Sequence, residues 1–117
     1  MKRDQELLRQ LLFEFEAQDD WLILASSTDG MTAEDRRRLG HLKILCDAGF
    51  VTPVASGTYR LTNAGHDYLD AVRDAGIWKK TSDAVAQTGG SVTLEVLKAL
   101  AVGFTKKQIS ERTGIEL

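Results

Sequence analysis

Residues 32–69, TAEDRRRLGHLKILCDAGFVTPVASGTYRLTNAGHDYL, pass from a helical hydrophobic period to a strand period and back, an order that few backbone arrangements accommodate. Thr32 followed by Asp35 offers a hydroxyl and a carboxylate to the free amides of a helix start, so this spacing predicts a helix from Ala33. At about 100° per residue, Leu39, Leu42, Leu45 and Cys46 share one face, and Arg36, Arg37, Gly40, Lys43 and Asp47 fall opposite. Arg38 projects near the apolar seam, where its stem covers the core while its guanidinium reaches water. Ala48-Gly49 ends the helix, and Phe50-Val51 opens a strand that Pro53, lacking an amide hydrogen, confines to a short or edge position. Ser56-Gly57 supplies the turn. Residues 58–61 return with Tyr59 and Leu61 on one face and Arg60 on the other, and Thr62 caps the next helix.

Upstream, Leu7, Leu8, Leu11, Leu12 and Phe15 recur at three- and four-residue steps and predict a helix over residues 2–17, with Phe13 off the stripe. Lys2 and Arg3 could touch a phosphate, but a charged, frayed end is the plainer reading. Asp19-Asp20 breaks the helix, WLILA at residues 21–25 reads as a short buried strand, and residues 26–30 as a polar loop. Downstream, a helix over residues 63–75 turns Ala64, Tyr68, Leu69 and Val72 inward. Ile77, Trp78, Val85 and Ala86 mark another, closed by Thr88-Gly89-Gly90. Ser91 or Thr93 caps a helix whose Leu94, Val96, Leu97, Leu100 and Ala101 form a broad apolar surface; Gly103 stops it, and Thr105 with Gln108 starts a last one. The expected class is mainly α with a small β-hairpin or three-stranded sheet (α+β). At 117 residues the chain fits one domain overall, with a core over residues 1–75 and a helical extension over 76–117 that packs on the core or makes a dimer contact.

Composition removes several classes. With 43% hydrophobic and 27% charged residues, no apolar run near membrane-span length and no signal-peptide organisation, the expectation is a soluble cytoplasmic protein with no membrane partner. Cys46 is the single cysteine, which leaves no internal disulfide, and its place on the apolar face makes it a packed residue. His41 and His66 are the only histidines, too few for a zinc site; Asp67, Asp70 and Asp74 read as a solvated helix face. No phosphate loop, dinucleotide fingerprint or nucleophile-base spacing is present, so the chain is expected to be non-enzymatic and to take no cofactor.

Several motifs carry resemblances. Gly40-His41-Leu42-x-x-Leu45-x-x-Ala48-Gly49-Phe50-Val51 is similar to the end of the recognition helix in arsenic-repressor-type winged-helix regulators, and Tyr59-Arg60-Leu61-Thr62-x-x-Gly65 resembles the wing exit of many winged-helix repressors. The resemblance implies a winged-helix-like core in which the first half of that helix enters the major groove. By position it implicates Arg36, Arg37, Gly40, His41 and Lys43, with Ser56 and Arg60 on the wing. No sensor cysteine motif is present, so metal sensing does not transfer, and residues 26–30 leave little room for the second helix of the usual plan. Residues 94–115 look like the first two helices of the response-regulator helix-turn-helix, stop where its recognition helix begins, and are read as a helical hairpin. A broader likeness rests on Met1-Lys2-Arg3-Asp4, Leu7-Leu8-Arg9, the two central motifs, Ala71-x-Arg73-Asp74-x-x-Ile77-Trp78 and Gly89-Gly90-Ser91-Val92-x-x-Glu95-Val96-Leu97-Lys98. These resemble the domain of unknown function 2513 family of short bacterial, phage and prophage proteins, which implies a mobile-element setting and no site residues.

Two functions follow as expectations. The first is a DNA-binding protein, a phage or prophage regulator, in which Arg36, Arg37, His41, Lys43 and Arg60 contact double-stranded DNA. The net charge of −2 opposes this, but residues 32–60 hold five basic and three acidic side chains, a local balance of +2. The second is a protein-interaction module, an adaptor or inhibitor of a host protein, with a homodimer through the C-terminal helices compatible with both.

Overall fold

The structure, a computed structural model, describes residues 1–25 and 30–117. Asp4 caps the first helix, α1 (Gln5–Ala17), by accepting from the amides of Glu6 and Leu7, so the helix starts at Gln5 rather than at residue 2. Leu7, Leu8, Leu11 and Leu12 are its buried stripe; off that stripe the Arg9 guanidinium stands 4.7 Å from the centre of the Phe13 ring. Next comes β1 (Leu22–Leu24), where the expected buried strand is corrected: Ile23 is inside, but Trp21 is 67% exposed and Leu24 80%. The strand lies at a sheet edge, and the pleat turns alternate side chains outward. The polar loop expected over residues 26–30 falls, apart from Gly30, outside the described residues.

Both halves of the capping box form at the start of α2 (Ala33–Asp47). The Thr32 hydroxyl accepts from the Asp35 amide at 3.1 Å, and the Asp35 carboxylate accepts from the Thr32 amide at 3.2 Å. The helix ends at Ala48, with Gly49 at φ +80°. A hairpin follows, β2 (Val51–Ala55) and β3 (Thr58–Leu61), and β1 completes an antiparallel sheet of order β1-β3-β2. Pro53 stands on an edge strand, as its missing amide hydrogen requires, beside a register shift between Pro53 and Ala55. Ile23 and Tyr59 oppose each other across β1 and β3, and both are buried.

Where the sheet ends, α3 (Asn63–Val72) begins, and a set of hydrogen bonds closes the junction. The Thr62 hydroxyl donates to the Gly49 carbonyl at 2.5 Å and accepts from the Gly65 amide at 3.0 Å. The Thr62 amide donates to the Phe50 carbonyl, and the Phe50 amide to the Leu45 carbonyl, each at 3.0 Å. A Cβ on Gly65 would stand 2.1 Å from the Phe50 carbonyl oxygen, so no side chain fits at that position. Tyr68 then stacks on Phe50 with ring centres 4.6 Å apart. Its hydroxyl is buried without a hydrogen-bond partner among the described residues, and burial pushes its ionisation far above the usual phenol range, against the pull of Arg3 and Arg9.

Five local expectations are corrected in the second half of the chain. Gly65 takes the inward position expected of Ala64, which is exposed. The helix expected to reach Ala75 stops at Val72, because Asp74 turns to cap α4 (Ala75–Gln87), accepting from the Ile77 amide at 2.9 Å. Asp74 thereby leaves the acidic face expected with Asp67 and Asp70. Instead of a hairpin broken at Gly103, α5 (Leu94–Thr113) is one helix of 20 residues capped by Thr93 and ended at Gly114. Inside it the Thr105 hydroxyl donates to the Ala101 carbonyl at 2.9 Å, so Thr105 is no cap. One interior glycine costs a helix only about 1 kcal/mol relative to alanine, too little to end this one.

The chain is α+β and divides by contact into two compact units, Met1–Leu69 and Asp70–Leu117. The first holds the sheet; in the second α4 and α5 lie together, with Ile77, Thr81, Leu97 and Ala101 buried. Among the described residues no helix is long and apolar enough to cross a membrane.

Two glycine substitutions are expected to act in opposite directions. Gly65→Ala drives a methyl into the Phe50 carbonyl and should destabilise by roughly 3 kcal/mol. Gly103→Ala meets open space and should stabilise by about 0.5–1 kcal/mol. Urea unfolding of the two variants beside the parent reads both signs.

Candidate functional site

The outward side of α2 gathers most of the basic residues singled out in the sequence, and the structure assigns them different tasks. Arg36 is exposed, and among the described residues no ion pair or hydrogen bond holds its side chain. Arg37 is half-buried: it donates to the Asp4 carboxylate at 2.5 Å and stands 3.7 Å from Glu34. Arg38 lies along the helix flank as expected, with its guanidinium paired to Glu14 of α1. Lys43 is exposed, yet its ammonium donates to the Tyr59 hydroxyl at 2.5 Å and sits 4.9 Å from the centre of that ring. The Tyr59 hydrogen bond raises the Lys43 ionisation above the usual ammonium range, outweighing desolvation. Lys43 thus ties α2 to the hairpin while keeping its charge at the surface. Asp47, exposed one further turn along, interrupts the basic stripe.

His41 is a correction. Placed among the groove-facing residues by motif position, it is 0% exposed. Its Nδ1–H donates to the Arg37 carbonyl at 2.8 Å, and its Nε2 accepts from the Asp4 amide at 2.9 Å. Both ring nitrogens are occupied, which selects the neutral tautomer with hydrogen on Nδ1 and leaves nothing for a ligand. The helical wheel puts position 41 at the margin of the apolar face; only the neighbouring α1 shows that this margin is covered.

Arg60 takes the place expected of it, on the hairpin and on the face away from Tyr59. Tyr59 is the residue that meets Lys43. Arg60 instead borders a cleft of about 340 Å³ whose lining includes Glu16, Asp19, Asp20, Trp21 and His66. What the structure brings together is therefore Arg36, Arg37 and Lys43, with Arg60 apart from them.

Sequence reasoning missed Asp4. Its carboxyl serves three partners: the amides of Glu6 and Leu7, and Arg37. Desolvation acts to raise its ionisation, but these hydrogen bonds and the Arg37 charge outweigh it and hold the carboxyl below its usual range. The Asp-x-x spacing ahead of a leucine stripe signals a cap, whereas the partner on α2 is 33 residues away and leaves no local trace. Cys46 is half-buried, and burial raises its thiol, consistent with a packing role.

A family profile described as "Hypothetical protein (DUF2513)" matches residues 2–91, a span that takes in α1 through α4 and stops before α5. An uncharacterised protein of Haemophilus influenzae is 26% identical over 110 residues, covering 86% of this chain and 92% of its own length. No solved structure matches.

A depressed carboxyl contributes stability that is present above its unfolded-state value and is lost as pH falls through its folded-state value. Asp4→Asn keeps an acceptor for the helix cap but removes the charge beside Arg37. It should cost roughly 0.5 kcal/mol at neutral pH, the scale of a partly exposed ion pair, and the difference from the parent should shrink as pH falls through the usual carboxylate range and vanish below the depressed folded-state value. Paired thermal melts from neutral to acidic pH measure it.

Proposed function

The chain belongs to that family, and on this premise we propose that it is a non-enzymatic DNA-binding protein of winged-helix type, a regulator of the phage or prophage kind acting in the cytoplasm. One observation carries the reading. A capped helix with an exposed Arg36 and Lys43 and a half-buried Arg37 is followed at once by a glycine-tipped hairpin, and the Lys43–Tyr59 contact locks the two together. Among the described residues the order and pairing of α1, β1, α2, β2 and β3 follow that plan apart from its second helix, with the hairpin as the wing. The ion pairs on Arg37 do not disqualify it, since partly exposed pairs contribute little and exchange for a phosphate at small cost. Arg36 and Arg37 supply planar donors for guanine edges or phosphate, and Lys43 a point charge.

Binding of this kind is driven by counterion release. With three cations on the duplex, the logarithm of the association constant should fall with the logarithm of salt at a slope of about −3. Arg36→Ala together with Arg37→Ala should weaken binding at least roughly tenfold and flatten the slope by about 2. Fluorescence anisotropy on a random-sequence duplex at low salt tests this. No binding, or binding indifferent to the double substitution, overturns the reading.

A second reading has its own support. Trp21 and Leu24 stand 67% and 80% exposed at the β1 edge, Asp47 interrupts the basic stripe, and the formal charge of the chain is −2. These features suit a protein-interaction module, a host-directed adaptor or inhibitor, better than a nucleic-acid partner. Val96 and Ile109, partly exposed along α5, are the residues through which a homodimer would form.

A further inference from the structure

We infer that Asp4 is a built-in competitor for the duplex, a carboxylate seated on Arg37 in the place of a phosphate; this rests on the DNA-binding reading above. The two pairings of Arg37 are unequal. Its guanidinium donates to the Asp4 carboxylate at 2.5 Å but stands 3.7 Å from that of Glu34, whose side chain is 63% exposed against 40% for Asp4. An ion pair weakens with distance and with water around the charges, so Asp4 is the partner that a phosphate has to displace. The chemistry of the two is matched. Carboxylate and phosphate alike offer the paired oxygens that the planar guanidinium fork accepts. Asp4, held below the usual carboxylate range, is ionised at neutral pH and carries the same sign of charge.

Groups other than Arg37 keep the competitor in position. The Asp4 amide donates to Nε2 of the buried His41 at 2.9 Å, which fixes its backbone against α2. The carboxylate is divided between two tasks: Oδ1 accepts from the amides of Glu6 and Leu7 at 3.0 and 3.2 Å, and Oδ2 accepts from Arg37. When Arg37 turns to a phosphate, Oδ1 keeps the cap of α1 and only the half-exposed Oδ2 side returns to water. The exchange therefore needs no unfolding, and Asp4 remains beside the helix to take Arg37 back. One guanidinium cannot face both partners. Removing the Asp4 charge lowers stability and raises affinity together, a pairing of signs that the loss of a structural contact alone does not produce.

A double-mutant cycle measures the coupling by fluorescence anisotropy on a random-sequence duplex at low salt. Asp4→Asn should tighten binding about twofold, the equivalent of one partly exposed ion pair, and should leave it unchanged in an Arg37→Ala background. Asp4→Ser, which keeps an oxygen for the α1 cap, should behave the same way. Asp47→Asn removes an acid about 15 Å along α2 from Arg37 and should act equally in both backgrounds. Parent binding that Asp4→Asn does not tighten, or a gain that survives in the Arg37→Ala background, removes the competitor and leaves the α2 reading standing. Parent protein that binds no duplex at low salt removes both.

Discussion

The Phe50 carbonyl is the atom around which the first unit is assembled. It accepts from the Thr62 amide, and Gly65 approaches it more closely than any side chain would allow, while the Phe50 amide reaches back to Leu45. Three segments meet in that one peptide: the end of α2, the exit of β3 and the start of α3. Thr62 strengthens the junction by serving both sides, giving its proton to Gly49 and accepting from Gly65. With the entry and exit of the hairpin fixed this way, Tyr59 has to face α2, and Phe50 has to lie under Tyr68. The Ala48-Gly49-Phe50-Val51 and Leu61-Thr62-x-x-Gly65 motifs are thus two halves of one contact, which accounts for their saying more about fold than about activity.

The charge arrangement on α2 follows from its neighbours. Of the three consecutive arginines, Arg38 is taken by Glu14, Arg37 is shared between Asp4 and Glu34, and Arg36 is left outward. A helix of about 3.6 residues per turn must point three successive side chains in three directions, so a run of basic residues yields one outward charge and two flanking ones. The local excess of positive charge is consequently divided between holding α1 against α2 and facing outward. That division is what lets a basic edge stand on a chain of net charge −2.

Much of the local structure was legible because its causes are local. Thr32 with Asp35, Pro53 on an edge, Ser56-Gly57 at the turn and Thr93 ahead of α5 each act within a few residues, and each takes the expected place. The failures have a common origin in competition between two local rules. Gly103 resembled a stop, yet its cost is small beside the propensity of the rest of a 20-residue helix. Asp74 extended an acidic periodicity, yet as a cap it satisfies an amide that would otherwise lack a partner, and that preference won.

By itself the sequence determined the class of fold and the type and order of most elements, because capping, turn chemistry and hydrophobic period are set by residues adjacent in the chain. Which basic side chains are available to a partner was decided only in three dimensions. His41 belonged to the same motif-derived set as Arg36, but the packing of α1 on α2 buried it, whereas the strand alternation alone already put Arg60 on the face away from Tyr59. Exposure depends on what lies across from a residue, and the group opposite His41 is the amide of Asp4, 37 positions away.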